Sequence, residues 1–155
     1  MKKIPKLIIS ILLPFLASAI GGFFTAGSVS TWYAALQKPS FNPPGWVFSP
    51  VWTTLYLLMG IALYLVWTAK AKNKILAFTA FGIQLFLNAL WSVLFFGLQK
   101  PLFAFIEIIF LWVAILLTII YFYRINKISA YLLMPYILWV SFAAVLNFFI
   151  FYLNI

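Results

Sequence analysis

The chain has 155 residues, 67% of them hydrophobic and only 7% charged, with a formal net charge of +9. At a mean hydropathy of +1.16 it lacks the polar surface of a water-soluble domain, and it reads as one all-α membrane domain. With no cysteine, no histidine and a single acid, Glu107, it has no disulfide, thiolate nucleophile, Ser-His-Asp triad, carboxylate pair or ordinary transition-metal site.

Five apolar runs reach the roughly 20 residues that a bilayer crossing needs. The first covers residues 7–27. Lys2, Lys3 and Lys6, followed by Ala17-Ser18-Ala19, also fit a secretory leader. The hydrophobicity continues past that point through Phe23 and Phe24, which favours a span. Pro14 is placed to kink it. Ser18, Gly22 and Ala26, like Ala17 and Gly21, recur every four residues. That spacing lets helix backbones approach closely, within one chain or between two copies.

Residues 28–45 form a loop, and Trp32 to Tyr56 is the least ordinary stretch of the chain. It holds four prolines (Pro39, Pro43, Pro44, Pro50), three tryptophans (Trp32, Trp46, Trp52) and two tyrosines (Tyr33, Tyr56). Proline fixes φ and removes a donor, so the segment cannot begin as regular helix. It reads as an ordered aromatic lid feeding a membrane helix. The alternative is a surface loop whose aromatic rings sit at the membrane interface.

The second span, residues 46–69, sets Trp52, Tyr56 and Gly60 on one face. The third, residues 75–98, aligns Gln84, Asn88, Trp91 or Ser92, and Phe95. Carboxamides are costly against lipid, so this stripe turns to a partner helix, a cavity or a ligand. The fourth span, residues 102–123, carries Glu107 near its start. An intramembrane carboxylate is a functional candidate; the bland reading is a protonated or interface-solvated side chain. The fifth, residues 130–153, carries Pro135 early and places Trp139, Ala143, Asn147 and Ile150 on one face. Ala143 leaves a gap there, for a ligand or for a packing helix.

Five spans put the termini on opposite sides. One side collects eight basic residues (Lys2, Lys3, Lys6, Lys70, Lys72, Lys74, Arg124, Lys127) and the other two, Lys38 and Lys100. Basic residues in short loops between apolar runs mark membrane orientation and not nucleic-acid binding. The bias predicts a cytoplasmic N-terminus, a C-terminus outside, and a lid facing away from the cytoplasm.

The ordered string Trp32-Tyr33, Leu36, Lys38-Pro39, Phe41, Pro43-Pro44, Val47-Phe48, Pro50-Val51-Trp52 and Leu55-Tyr56 resembles the TspO/MBR family of tryptophan-rich sensory proteins and translocator proteins (peripheral-type benzodiazepine receptors). Two later blocks resemble it too: Leu87-Asn88 with Trp91-Ser92 and Phe95-Phe96-Gly97, and Pro135-Tyr136 with Trp139, Phe142-Ala143 and Leu146-Asn147. The resemblance implies a bundle of five transmembrane helices, a homodimer, and a pocket under the first loop. It implies binding of protoporphyrin IX, haem and isoquinoline carboxamide or benzodiazepine-type ligands, with no tightly bound cofactor. Some bacterial relatives promote light- and oxygen-dependent degradation of protoporphyrin IX. Carried over by motif position, the ligand-binding residues are Tyr33, Trp52, Asn88, Trp91, Trp139, Ala143, Leu146 and Asn147. The cholesterol motif of animal members is not kept: its tyrosine and basic positions are Phe148 and Tyr152 here, which argues against cholesterol at that site. Leu117, Tyr121 and Arg124 match a loose cholesterol pattern that is common by chance.

These residues suit a flat, apolar, carboxylate-bearing ligand. Trp52 and Trp139 are placed to clamp a macrocycle, Asn88 and Asn147 to orient it, and Lys38 to lie near its propionates. Without an acid–base pair, turnover has to draw on the bound pigment, light and oxygen. Trp52 and Trp139 then take a photochemical role. The alternative function is a non-catalytic transporter, scavenger or sensor using the same pocket. A third reading, a structural or assembly protein, leaves the two Asn/Trp stripes and the lid unexplained. The loop bias and the lack of an Arg/Ser-rich leader point to a bacterial plasma membrane.

Overall fold

The computed structural model describes residues 3–155, so Lys2 of the basic side lies outside the described residues. The helices are α1 (Lys3–Ser28), α2 (Trp32–Ala35), α3 (Gly45–Thr68), α4 (Ile75–Ser92), α5 (Pro101–Ile125), α6 (Lys127–Leu132) and α7 (Met134–Leu153). A π-helical turn, Val93–Gly97, extends α4. Among the described residues, five stretches are long and apolar enough to cross a membrane: α1, α3, α4 with its π turn, α5, and α6 with α7. The protein is an all-α, multi-pass membrane protein.

Three local features refine the expected spans. The fifth is not continuous: Leu133 (φ −91°, ψ −7°) separates α6 from α7. Pro135 follows at the start of α7 and has no N–H to continue the ladder of α6. Asn126 sets the start of α6, its Oδ1 accepting from the Ser129 N–H at 3.1 Å. The third span widens at its end, where the Leu98 N–H reaches back to the Val93 carbonyl at 2.7 Å. The chain then turns through Gln99, a non-glycine residue at φ 55°, and restarts at Pro101.

α1 packs on α3 and α4, and α5 packs on α4 and α7. α1 and α3 meet at Gly60, where an added Cβ would stand 2.8 Å from Ile11 Cα and 2.9 Å from the Ser10 carbonyl oxygen. The interior holds Met59, Val66, Phe81, Ile115, Phe122 and Tyr136. Large apolar side chains such as Leu12, Phe86, Phe110 and Leu138 remain exposed around the outside. That band is the lipid-facing surface of a bundle whose helices associate by close packing and hydrogen bonds.

The ends of the bundle are chemically distinct. At one, Lys6 Nζ lies 5.9 Å from the Trp67 ring, and Lys74 Nζ donates to the Trp67 and Ala69 carbonyls at 2.9 and 2.5 Å. The ammonium thereby caps the C-terminus of α3. At the other end the lid, the π turn, the start of α5 and the end of α7 come together.

Candidate ligand-binding site

The lid is tied down residue by residue. The Gln37 N–H donates to Asn154 Oδ1 at 3.0 Å, and Asn154 Nδ2 returns a bond to the Gln37 carbonyl at 2.9 Å. The Tyr33 hydroxyl donates to Asn42 Oδ1 at 3.2 Å. Burial pushes the Tyr33 phenol above its ordinary pKa while the Asn42 bond pulls the other way, so it stays neutral at physiological pH. Lys38 Nζ donates to the Leu36 and Ala34 carbonyls at 3.0 and 3.3 Å and sits 4.7 Å from the Tyr33 ring. Trp32 and Tyr33 pack on Phe95 and Phe96. Phe41 lies edge-on to Phe149, ring centroids 5.4 Å apart. Pro44 is the last lid residue before α3.

Beneath this lid lies a cavity of about 450 Å³, bounded by α1, α3, α4, α5 and α7. That size lies within the usual range for small-molecule sites. Tyr33 closes it from the lid, Phe48 and Trp52 from α3, and Trp91 from α4. Trp139 and Ala143 face it from α7. Trp52 stacks on Tyr56 at 5.5 Å and 27°; Trp91 stacks on Phe95 at 5.0 Å and 18°. Their rings are held by neighbours and do not collapse into the space.

All eight sequence-derived positions line this cavity: Tyr33, Trp52, Asn88, Trp91, Trp139, Ala143, Leu146 and Asn147. The two carboxamides among them are engaged within the protein, as the partner-helix reading of these stripes expects and the ligand-orienting reading does not. Asn88 Oδ1 accepts from the Tyr56 hydroxyl at 2.6 Å, and Asn88 Nδ2 donates to the Tyr136 oxygen at 2.9 Å. The Tyr136 hydroxyl donates in turn to Gln84 Oε1 at 2.9 Å. Asn147 Oδ1 accepts from Trp91 Nε1 at 3.0 Å, and its Nδ2 donates to the Pro101 carbonyl at 2.9 Å. Both carboxamides therefore bind helix to helix before they meet any ligand. The reason is physical: each is over nine-tenths buried and has to be satisfied within the protein. Lys38 is likewise engaged on lid carbonyls and is not part of the wall.

One buried polar atom of the wall is left without a partner among the described residues, the Trp139 indole N–H. Its ring lies against Phe48 and Phe142.

The model of the TspO/MBR family matches residues 10–153. A tryptophan-rich protein TspO from Archaeoglobus fulgidus is 50% identical over 149 residues, covering 96% of this chain and 97% of its own. One from Chlorobaculum tepidum is 45% identical over 155 residues, covering 99% and 98%. The human translocator protein is 38% identical over 143 residues, covering 88% and 83%.

The chain belongs to the TspO/MBR family.

Membership supports a membrane protein that binds hydrophobic ligands. Two parts of this TspO/MBR cavity were not legible as such in the sequence. One is the α1 wall, made by Ser18, Gly21, Gly22, Thr25 and Ala26. Their four-residue spacing signals close approach, and Gly21 does meet Ser92, whose Oγ would stand 2.9 Å from an added Cβ. Gly22, however, has no neighbouring heavy atom within 4 Å of that position. The other is the Tyr56–Asn88–Tyr136–Gln84 chain, whose tyrosines sit inside the recognised motif blocks without a separate signal. Glu107 is buried, with neither carboxyl oxygen partnered among the described residues, and it lies outside the cavity wall.

Proposed function

We propose that this protein binds protoporphyrin IX or haem in the cavity beneath the lid and promotes light- and oxygen-dependent degradation of the bound protoporphyrin. One observation carries the reading: an aromatic-walled cavity that presents a buried indole N–H, that of Trp139, with no partner among the described residues. A flat macrocycle stacks on such walls, each aromatic contact adding about 0.5–1.5 kcal/mol beyond burial. A carbonyl or carboxylate of the ligand supplies the acceptor that the indole lacks, which removes the penalty of a buried unsatisfied donor. Isoquinoline carboxamide and benzodiazepine-type molecules offer the same combination of flat rings and a carbonyl. Tyr33, Trp52, Trp91 and Trp139 form the ring contacts, Ala143 and Leu146 leave room, and Asn88 and Asn147 fix the wall.

The bound pigment supplies light absorption and oxygen activation. The protein holds it still, excludes bulk water, and presents Trp52 and Trp139 as electron-rich rings. The homodimer and the placement in a bacterial plasma membrane, lid outward, belong to the same proposal.

The test is a titration of purified protein with protoporphyrin IX in the dark, read by tryptophan quenching, followed by illumination in air. Wild type binds saturably and forms a new absorbing product. Trp139→Phe keeps dark binding within about tenfold and loses most of the product. The Trp52→Ala/Trp139→Ala pair loses both. Product at the wild-type rate from Trp139→Phe, or in darkness, overturns the photochemical part. A carrier, scavenger or sensor is the reading that remains if binding is saturable and product never exceeds that of free pigment. That reading uses the same apolar and aromatic wall.

A further inference from the structure

A second recess lies at the opposite end of the bundle, where α5 ends and the α6–α7 elbow begins. It measures about 250 Å³. Ile119 and Ile120 of α5, Ala130 of α6 and Met134 of α7 form its apolar body, with Tyr123, Tyr131 and Arg124 at its rim. The two tyrosine rings meet edge-on at 6.1 Å. Lys127 Nζ stands 5.5 Å from the Tyr123 ring, so a second cation overhangs the same rim. Its lining comes from both sides of the Leu133 break in the fifth span.

We propose that this recess seats one acyl chain of an anionic phospholipid, with the lipid phosphate held between Arg124 and Lys127. The charge argument selects the occupant. Arg124 and Lys127 are exposed, and among the described residues no acidic side chain is placed to neutralise them. The chain has one acidic side chain, Glu107, which lies 17 residues earlier on α5, about 25 Å away along the helix axis. At a bilayer interface the available counter-charge is lipid phosphate, which a planar guanidinium binds in two-point fashion. A second copy of this chain is a poor occupant of this recess, because its one acidic side chain, Glu107, is buried and offers these two cations no counter-charge. The groove is apolar where the acyl chain runs and basic only at its mouth, which matches a lipid lying along α5 with its headgroup at the helix end.

The experiment is native mass spectrometry of the full chain, equilibrated in micelles with equal amounts of phosphatidylglycerol and phosphatidylcholine of the same acyl chains. Wild type retains phosphatidylglycerol in preference. Arg124→Gln/Lys127→Gln lowers the ratio of the two bound lipids by about fivefold or more. Lys70→Gln/Lys72→Gln removes two charges from the same end without touching the recess, and shifts the ratio by less than about twofold. Met134→Trp fills the recess at unchanged charge and lowers total retained lipid. Glycerol phosphate, the headgroup without chains, does not displace the bound lipid. Equal losses in the two charge-pair variants reduce the effect to general surface potential and overturn the site. So does wild-type retention in Met134→Trp, or displacement by glycerol phosphate.

Discussion

The Asn88 carboxamide accepts a hydrogen bond from the Tyr56 hydroxyl and donates one to the Tyr136 oxygen, so its removal leaves two buried phenols short of a partner. Interhelical hydrogen bonds in membranes contribute modestly, about 0.6–2 kcal/mol, and a stranded buried donor adds to the loss. Asn88→Leu is expected to lower stability by about 1–3 kcal/mol, read as a reduced midpoint of thermal unfolding in micelles. An unchanged midpoint removes the network from the account of the fold. Glu107 predicts the opposite sign. Both of its oxygens are buried without partners, and an unpaired carboxyl at membrane depth carries an energetic cost and no compensating bond. Glu107→Gln is therefore expected to hold or raise the unfolding midpoint and to leave ligand affinity unchanged. A loss of binding in that variant would assign the carboxyl a functional role. Residue-level reasoning from sequence turned Gln84, Asn88 and Asn147 inward correctly, because lipid offers no partner to an amide. A partner helix was among the readings it offered, but it could not name the contacting residues, since a period of three to four residues gives a direction and not a contact. Lys38 shows the same gap: its charge suggested propionates, and the fold spends it on the Leu36 and Ala34 carbonyls.

At the scale of elements, two glycines on facing helices separate packing from cavity. Gly60 of α3 touches the α1 backbone, with 2.8 Å from a prospective Cβ to Ile11 Cα; backbone cannot rotate aside as a side chain can. Gly22 of α1 meets nothing within 4 Å. Gly60→Ala is expected to cost about 1–3 kcal/mol by forcing α1 and α3 apart, whereas Gly22→Ala stays neutral or gains from helix propensity. Gly22→Leu is expected to keep the fold and weaken protoporphyrin binding by filling the cavity from the α1 side. Comparing unfolding midpoints of the two alanine variants checks the first pair; dark titration checks the third. Equal midpoints would sink the assignment of Gly60 as the crossing point. The spans themselves were legible because about 20 consecutive apolar residues have few other uses. The elbow at Leu133 and the π turn at Val93–Gly97 were not, because helices that are apolar all round carry no phase by which to see a break. The α1 wall was hidden for a related reason: a glycine facing a void and a glycine facing a helix have the same sequence signature.

For the molecule as a whole, the lid and the basic end define a polarity that the bundle carries from end to end. The lid is joined to the last helix by the two-point bond between Gln37 and Asn154, 117 positions apart, and nothing covalent duplicates that link. Asn154→Ala is expected to speed ligand release several-fold while leaving the unfolding midpoint nearly unchanged, since the bond lies at the exposed edge of the fold. Stopped-flow displacement of protoporphyrin reads it, and an unchanged release rate means that the lid does not gate the cavity. The opposite end collects Lys3, Lys6, Lys70, Lys72, Lys74, Arg124 and Lys127, and the Lys6–Trp67 and Lys74–Trp67 contacts hold two of these segments together. Charged loops are costly to translocate, so this end is expected to stay in the cytoplasm and the lid to face out. The chain has no cysteine, which makes single-cysteine labelling clean. Ser40 in the lid and Asn73 in the basic loop are both exposed. A membrane-impermeant maleimide applied to intact cells is expected to label Ser40→Cys, and to reach Asn73→Cys only after permeabilisation. The reverse pattern would place the lid in the cytoplasm, so that the cavity opens toward internal ligands, and the loop charges would not be what orients this protein.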